Sequence, residues 1–206
     1  MNARARTVVL LIRHAQTDAV GDRLSGRLED LPLNQVGRAQ AERLRARLAT
    51  TDIAAVYSSP LQRAIETAGP LAGERNLRIE PLLELLEVDF GEWSGERFEA
   101  LARDPRWSRF NKVRSLSAPP GGERPLETQT RVVRALDIGR TRHPNQTVVF
   151  VTHADVIRLA ILYTAGAPID FIHRFDVLPA SVTAIALDGE QSTLLYVNDR
   201  DARTPL

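Results

Sequence analysis

The sequence predicts an α/β fold in which a mainly parallel sheet is covered by helices on both faces. Two observations carry this prediction. Apolar runs such as Thr7–Ile12 and Thr147–Val151 are short and continuous, which is typical of buried strands. Stretches with helical signals separate these runs, and alternation of strand and helix favours a parallel sheet.

Six strands are expected along the chain. Most are apolar runs of about five or six residues, and the last two form a hairpin around residues 188–191. In chain order the predicted strands are Thr7–Ile12, Ile53–Tyr57, Arg78–Glu80, Thr147–Val151, Val182–Leu187 and Thr193–Val197.

Three helices follow from start and stop signals. Asn34 can cap a first helix that runs to about Ala49. Pro60 takes the favoured first position of a second helix, and Pro70 is expected to kink or end it. A third helix is predicted from about Asp155 to Thr164.

Composition limits the possible functions. A length of 206 residues with 43% hydrophobic content suits one domain over residues 1–206. A net charge of +1 argues against a dedicated nucleic-acid or membrane-surface protein. The absence of cysteine excludes disulfides, thiolate nucleophiles and cysteine-ligated metals. No apolar run is long enough for a signal peptide or a membrane span, so a cytoplasmic location is expected.

Residues 94–123 differ from the rest of the chain, because aromatic and basic residues alternate there before a Pro-Gly-rich end. We predict a short helical insertion that ends in a loop. Its arginines either face solvent or contact a second acidic group of a ligand, such as a carboxylate or another phosphate. The aromatic residues are Phe98, Trp107 and Phe110, and the arginines are Arg103, Arg106, Arg109 and Arg114.

Basic side chains follow three of the predicted strands. Arg13 and His14 end the first strand, Arg63 lies within one turn of the second, and His153 ends the strand at 147–151. Because parallel strands share one carboxyl edge, these groups are expected to converge. Such a cationic pocket suits a phosphoryl group. Zinc is disfavoured because no close-spaced histidine pair exists and the arginines repel a cation, so neither a metal nor another cofactor is expected.

A phosphoryl pocket also needs a nucleophile and an acid. A neutral imidazole can attack phosphorus and form a phosphohistidine. A carboxylic acid can then protonate the leaving oxygen. Glu87, Asp89 and Glu92 lie close together in the segment LLEVDFGEWSG, and their chemistry alone does not rank them.

Several segments together resemble the histidine phosphatase superfamily, which includes the cofactor-dependent phosphoglycerate mutases. They occur in the family's order across roughly residues 8–160, and that order makes the resemblance specific. The segments are LIRHAQTD, RLSGRLEDLPLNQVGRAQA, SSPLQRAIETA, LLEVDFGEWSG, PPGGE and VTHADVIR. The resemblance implies a phosphoglycerate mutase-like fold with the insertion near the active site.

The resemblance also implies residue roles. His14 would be the phosphorylated nucleophile, and Arg13, Arg63 and His153 would hold the phosphoryl oxygens. Glu87 would protonate the leaving oxygen and then act as base for water.

Three further residues are candidate substrate contacts. Ser25 and Gly26 match the substrate-contacting pair of the mutases, although an ordinary turn explains them equally well. Thr17 is expected near the pocket rim, where it donates a hydrogen bond or caps a helix. His143 and His173 are interpreted as surface residues.

The chain departs from the mutases at three positions near these segments. Val20, Phe90 and Asp155 stand where mutases carry Asn, Tyr and Asn, and the insertion is shorter. With fewer groups to retain an intermediate, hydrolysis should win over transfer. We therefore expect a phosphatase acting on a small phosphorylated substrate. The alternatives are a phosphomutase and a catalytically weak regulator that binds phosphorylated ligands. The oligomeric state stays open, with a homodimer as one option.

Overall fold

A computed structural model of the protein describes residues 6–189 and 191–200. Its strands are β1 (Thr7–Arg13), β2 (Ile53–Ser58), β3 (Ile79–Pro81), β4 (Thr147–Thr152), β5 (Val182–Leu187) and β6 (Ser192–Asp199). They form a sheet with the order β3-β2-β4-β1-β5-β6. Strands β1 to β4 pair in parallel, whereas β5 pairs antiparallel with both β1 and β6. The mostly parallel α/β sheet predicted from the sequence is therefore confirmed.

The two faces of the sheet carry different helices. These are α1 (Gln35–Arg47), α2 (Gln62–Glu74), α3 (Phe98–Leu101), α4 (Pro105–Lys112), α5 (Pro125–Arg142) and α6 (Ala154–Thr164). Leu10 and Ile12 of β1 pack with residues of α1 and α2, whereas Val9 and Leu11 pack with α5 and α6. Side chains of a strand point alternately to opposite faces. The continuous apolar run of β1 thus reflects a strand buried on both sides.

The register of the central strands sets where each one ends. Arg13 of β1 pairs with Thr152 of β4, and Ser58 of β2 pairs with Val151 of β4. The residues that directly follow these strands therefore meet at one edge of the sheet.

Helix α2 differs from its prediction at both prolines. It begins at Gln62 rather than at Pro60, because Leu61 keeps an extended backbone with φ −68° and ψ 136°. It also continues through Pro70 to Glu74. A proline inside a helix costs roughly 3 kcal/mol or more. Burial of Ala68 and Leu71 against the sheet offsets that cost.

Helix α5 spans 18 residues and was not expected from the sequence. Its buried stripe contains Thr128 and Gly139 beside Val132, Ala135 and Leu136, so the apolar periodicity is diluted. Small and polar residues pack closely against the sheet here: a Cβ at Gly139 would lie 3.0 Å from the ring of Phe150.

Residues 82–124, called the excursion below, leave the sheet edge after β3 and return at α5. The excursion begins earlier than the predicted insertion at 94 and holds α3, α4 and short 3₁₀ turns. A cluster of aromatic rings forms its core, with Trp93 and Trp107 in edge-to-face contact at 5.3 Å. Phe90 and Phe110 complete this cluster.

The ends of the chain and one turn residue fall outside the described part. The predicted domain covers residues 1–206, of which residues 1–5 and 201–206 lie outside the described part of the chain. Glu190, in the predicted turn at 188–191, lies outside the described part as well. None of the helices within the described ranges combines the length and the apolar character needed to cross a bilayer.

Candidate active site

His14 and His153 follow β1 and β4 directly and lie side by side. Their ring centroids are 5.3 Å apart with the ring planes at 58°. Arg63, in the first turn of α2, is fully buried beside them, and Arg13 is the last residue of β1. The convergence expected at the shared strand edge therefore occurs.

His14 has one ring nitrogen committed to the backbone. Its Nδ1 lies 2.8 Å from the carbonyl oxygen of Ala15, which can only accept, so Nδ1 carries the proton in the neutral ring. Burial, together with the charges of Arg63 and Arg13, holds the pKa of His14 well below its ordinary value. At neutral pH the imidazole is uncharged and Nε2 keeps its lone pair.

The two arginines are held by backbone carbonyls at their outer nitrogens. Arg13 donates from Nη1 to Val177 O at 2.7 Å. Arg63 donates from Nη1 to Leu28 O at 2.9 Å and from Nη2 to Gly26 O at 2.6 Å. In both side chains the buried Nε has no protein partner in the described part of the chain. Each guanidinium is thus fixed in place with its inner donor unpaired.

His153 repeats this arrangement. Its Nε2 lies 2.8 Å from the hydroxyl of Ser59, and its buried Nδ1 has no partner among residues 6–189 and 191–200. Burial lowers the pKa of His153, and the charge of Arg63 lowers it further. Ser59 was not singled out from the sequence, although the Ser-Ser-Pro run before α2 contains it.

Among Arg13, Arg63 and His153, three buried nitrogens have no partner in the described part of the chain: Arg13 Nε, Arg63 Nε and His153 Nδ1. His153 Nδ1 is a donor when Nε2 accepts from the Ser59 hydroxyl. Arg114 Nε, which belongs to another residue lining the cavity, is likewise without a partner there. A buried donor left unpaired costs about 1–3 kcal/mol, so such groups rarely cluster without a purpose. A tetrahedral oxyanion placed against His14 would accept from donors of this kind.

Of the three candidate carboxylates, Glu87 is the one that lines the cavity at His14. Burial raises the pKa of Glu87 to about 7, with the charge of Asp155 adding to the effect. A substantial fraction is therefore protonated at neutral pH, as a proton donor requires. Asp89 instead accepts from Gly91 N at 2.9 Å, and Glu92 is 66% exposed beside Arg106.

Ser25 and Gly26 line the same cavity. Gly26 has a φ of 48°, and a Cβ there would lie 2.7 Å from the hydroxyl oxygen of Ser94, so glycine is favoured at this position. Thr17 is 1% exposed, and its buried Oγ1 has no hydrogen-bond partner among the described residues. Asn34 rather than Thr17 caps α1, so a substrate contact of Thr17 stays a prediction.

Arg114, Asp155 and Arg158 form one wall of the cavity, called the far wall below, which sequence reasoning found only in part because it did not name Arg158. Arg114 and Arg158 donate to opposite oxygens of Asp155, at 3.0 and 2.9 Å, and all three side chains line the cavity. Burial opposes ionisation of Asp155, but Arg114 and then Arg158 outweigh it and lower its pKa to about 2. The departure at Asp155 and the arginine in the insertion were the available signals.

Of the two remaining histidines, His173 is exposed and His143 is half-buried. His173 lines the cavity and its Nε2 lies 3.0 Å from Asn111 Oδ1. His143 is half-buried, because its Nε2 lies 2.9 Å from the hydroxyl of Tyr57. His143 is thus only partly exposed, and the surface interpretation holds in full for His173 alone.

The cavity has a volume of about 220 Å³, which suits a small ligand. Beyond the cradle of His14, Arg13, Arg63 and His153, its lining includes the aromatic side chains of Phe90 and Trp107. A larger open depression of about 640 Å³ lies along α5, but none of the cradle residues borders it. Within residues 6–189 and 191–200, no group of three or more His, Asp or Glu side chains is placed to hold a metal ion.

The sequence matches the histidine phosphatase superfamily, branch 1, over residues 9–200. The chain belongs to this superfamily. A solved structure of Bacillus stearothermophilus YhfR is similar, with a TM-score of 0.89 and 32% identity, covering 95% of this chain and 98% of that one. Mycobacterial glucosyl-3-phosphoglycerate phosphatase Rv2419c, in a structure with VO3, has a TM-score of 0.83 and 27% identity, covering 95% and 99%.

Curated relatives agree with this assignment. Phosphoserine phosphatase 1 of Hydrogenobacter thermophilus is 30% identical over 203 residues, covering 92% of this chain and 91% of the relative. An uncharacterized protein of Mycobacterium tuberculosis, Rv0525, is 35% identical over 192 residues, covering 90% and 92%. The chain spans about half the length (53%) of the bifunctional protein Rv2228c of the same organism, at 35% identity. Phosphatases thus recur among its relatives.

Proposed function

We propose that this protein is a phosphoric monoester hydrolase of the histidine acid phosphatase type, which hydrolyses a small phosphorylated metabolite through a phosphohistidine on His14. One observation carries the proposal: a neutral imidazole with a free Nε2 lies among three buried donors that have no protein partner. That combination pairs a nucleophile with donors for the charge that develops on the phosphoryl oxygens.

The first half-reaction transfers the phosphoryl group to the enzyme. Nε2 of His14 attacks phosphorus, the bond from phosphorus to the ester oxygen breaks, and the proton of Glu87 goes to that oxygen. Arg13, Arg63 and His153 donate hydrogen bonds to the three non-bridging oxygens and stabilise them in the transition state. The free alcohol then leaves.

The second half-reaction regenerates the enzyme. Glu87, now a carboxylate, takes a proton from water as the water oxygen attacks the phosphohistidine. The bond between phosphorus and Nε2 breaks, inorganic phosphate leaves, and His14 returns to its neutral form with Glu87 protonated again. The pKa of Glu87 near 7 suits a group that must give and then take a proton.

Hydrolysis is favoured over phosphoryl transfer by the apolar side of the cavity. Val20 and Phe90, at positions where mutases carry Asn and Tyr, line it and offer no side-chain hydrogen bond to a retained intermediate. The alcohol product therefore finds fewer hydrogen bonds here than in a mutase, and water replaces it before the phosphoryl group can return.

The substrate class follows from the charge of the far wall. Arg114 and Arg158 carry two positive charges and Asp155 one negative charge, which leaves a net +1. Arg158 uses Nε and Nη1 within the protein but makes no hydrogen bond from Nη2 to a described residue. A single carboxylate matches this wall better than a second phosphate, so we propose a phosphorylated small carboxylic acid. A relative named phosphoserine phosphatase supports this class.

A metabolite panel tests the proposal. Phosphate release should be measured on phosphorylated acids, sugar bisphosphates and neutral alkyl phosphates, with excess chelator present throughout. Retained hydrolysis, with vanadate competing, is expected because the cationic cradle replaces a metal. Loss of activity in chelator and its return with magnesium or zinc would contradict the mechanism, and transfer between glycerate positions without phosphate release would favour the mutase alternative. Binding without any turnover would favour a regulator.

Arg158→Gln sharpens the test of the substrate class. It should raise KM for phosphorylated carboxylic acids by roughly 10- to 100-fold, the range expected for losing a hydrogen bond to a charged group. KM for neutral alkyl phosphates should stay the same. An equal change on both groups of substrates would refute the assignment of the far wall.

A further inference from the structure

The loop Pro119–Glu123, which is the segment PPGGE, lies directly against the segment that carries Glu87. Glu92 N donates to Pro120 O at 3.0 Å, and Glu123 N donates to Asp89 O at 2.8 Å. A Cβ on Gly122 would come within 2.3 Å of Asp89 O, so only glycine permits this approach of the two backbones. The mechanism proposed above gives this loop no role.

The carboxylate of Glu123 joins two arginines. Arg131 donates from Nε to Oε1 at 2.7 Å and from Nη2 to Oε2 at 2.9 Å, while Arg27 donates from Nη2 to Oε2 at 2.9 Å. The side chains of Arg131 and Glu123 are each only 13% exposed. Burial opposes ionisation of Glu123, but Arg131 and then Arg27 outweigh it and lower its pKa, so the group is a carboxylate at neutral pH.

Both arginines also reach the backbone of Glu87 itself. Arg27 Nε and Arg131 Nη2 donate to Glu87 O at 3.0 and 3.1 Å. Arg131 Nη1 donates to the carbonyl oxygens of Glu84 and Leu86 at 2.8 and 2.5 Å. Glu87 belongs to no helix or strand, so these donors supply the hydrogen bonds that regular secondary structure would otherwise supply.

We propose that Glu123, Arg131 and Arg27 are positioning residues that fix the backbone of Glu87 so that its carboxyl reaches the leaving oxygen. This inference rests on the proposed function, because it presupposes that Glu87 is the acid. A misplacement of 1 Å in a reacting group can cost about 10²-fold in rate. Loosening the anchor should therefore impair proton donation while leaving the cradle of His14, Arg13, Arg63 and His153 intact.

The test uses Glu123→Gln, which keeps the shape of the side chain but removes its charge. The value of kcat/KM for an alkyl phosphate, whose leaving group needs a proton, should fall roughly 10- to 100-fold. The value of kcat/KM for p-nitrophenyl phosphate, whose leaving group scarcely needs one, should fall less than about threefold. Arg27→Ala, which removes one of two donors on Glu87 O, should show the same selectivity with a smaller loss.

Val132→Ala is the matched control for loss of packing. Val132 neighbours Arg131 on α5 and is fully buried in the core, but it does not donate to the acid segment. It should lower Tm while leaving the ratio of alkyl to aryl turnover unchanged. If Glu123→Gln lowers both activities equally, as a general loss of structure would, or lowers neither, the positioning role is refuted.

A double variant shows whether Glu123→Gln lowers activity by displacing Glu87. In a Glu87→Gln background, Glu123→Gln should change alkyl phosphate turnover by less than about twofold, because the proton that it positions is already gone. A further 10-fold loss there would overturn the inference. The reference for both tests is Glu87→Gln alone: if that variant lacks leaving-group selectivity, the acid assignment in the proposed function fails rather than the positioning role.

Discussion

The strand-end cradle and the excursion over residues 82–124 form opposite parts of one cavity and are built in different ways. Arg13, His14 and His153 continue directly from buried parallel strands, so the sheet register fixes their positions. Glu87 lies on an irregular segment that depends on side-chain donors from elsewhere in the chain. The fold itself thus places the nucleophile and the anion donors, whereas tertiary contacts place the acid and Arg114.

This difference has a consequence for function. The cradle would bind the group that all phosphomonoesters share, and the excursion, with Arg114, Trp107 and Phe90, faces the part in which they differ. Changes in the cradle should therefore affect every substrate alike, and changes in the excursion should depend on the leaving group.

Glu87→Gln should have the largest effect on the excursion side. It keeps the shape of the side chain but cannot donate a proton, so turnover of an alkyl phosphate should fall roughly 10²–10⁴-fold. In kcat/KM for p-nitrophenyl phosphate, which reports only the first half-reaction, the loss should be much smaller. Its kcat should still fall, because the second half-reaction needs Glu87 as base. Steady-state rates on both substrates decide the matter, with Asp89→Asn and Glu92→Gln as matched controls. Leaving-group selectivity in either control instead would move the acid role to that residue.

Arg63→Lys should impair the cradle and, unlike Glu87→Gln, should lower activity on every substrate to the same extent. Lysine keeps the positive charge but lacks the planar guanidinium group. In Arg63 that group donates from its two outer nitrogens to Leu28 O and Gly26 O, and its Nε remains available to the phosphoryl group. Turnover should fall roughly 10²–10³-fold, the cost of removing one donor to a developing oxyanion. Alkyl and aryl phosphates should lose equal factors. A loss confined to alkyl phosphates would contradict the division between the two regions.

The dependence of kcat/KM on pH should report on both regions, with the acid limb set by His14 of the cradle and the alkaline limb by Glu87 of the excursion. His14 must be uncharged to attack, and its lowered pKa places the acid limb of kcat/KM below the ordinary value of 6.5. Glu87 must be protonated, so activity on an alkyl phosphate should fall about tenfold per pH unit above its pKa of about 7. On p-nitrophenyl phosphate the alkaline limb should flatten while the acid limb stays. An alkaline limb of the same slope on both substrates would exclude Glu87 as its origin.

The same division separates what the sequence predicts from what it does not. A strand end is recognisable in the sequence as the point where an apolar run stops, so Arg13, His14 and His153 could be identified. Because the strands are parallel, these residues could also be expected to lie close together. The far wall could not be found in this way. Arg114 and Arg158 are 44 positions apart and are joined only through Asp155, so nothing in their local pattern indicates a shared role.

Local signals also failed where packing outweighed them. Pro70 is a helix breaker by its chemistry, yet the helix continues because both flanking turns are buried. Helix α5 was missed because its buried side is built partly of Thr128 and Gly139 rather than of large apolar residues.

The central claim is that the phosphoryl group passes through His14. Turnover of a ³²P-labelled substrate should be quenched rapidly without acid, because a phosphoramidate is labile in acid and survives alkali, and the labelled peptide should then be mapped. We predict a label on His14, lost together with all turnover in a folded His14→Ala variant, and slow labelling that persists in His153→Ala. A label on His153, or an active His14→Ala enzyme, would contradict the account.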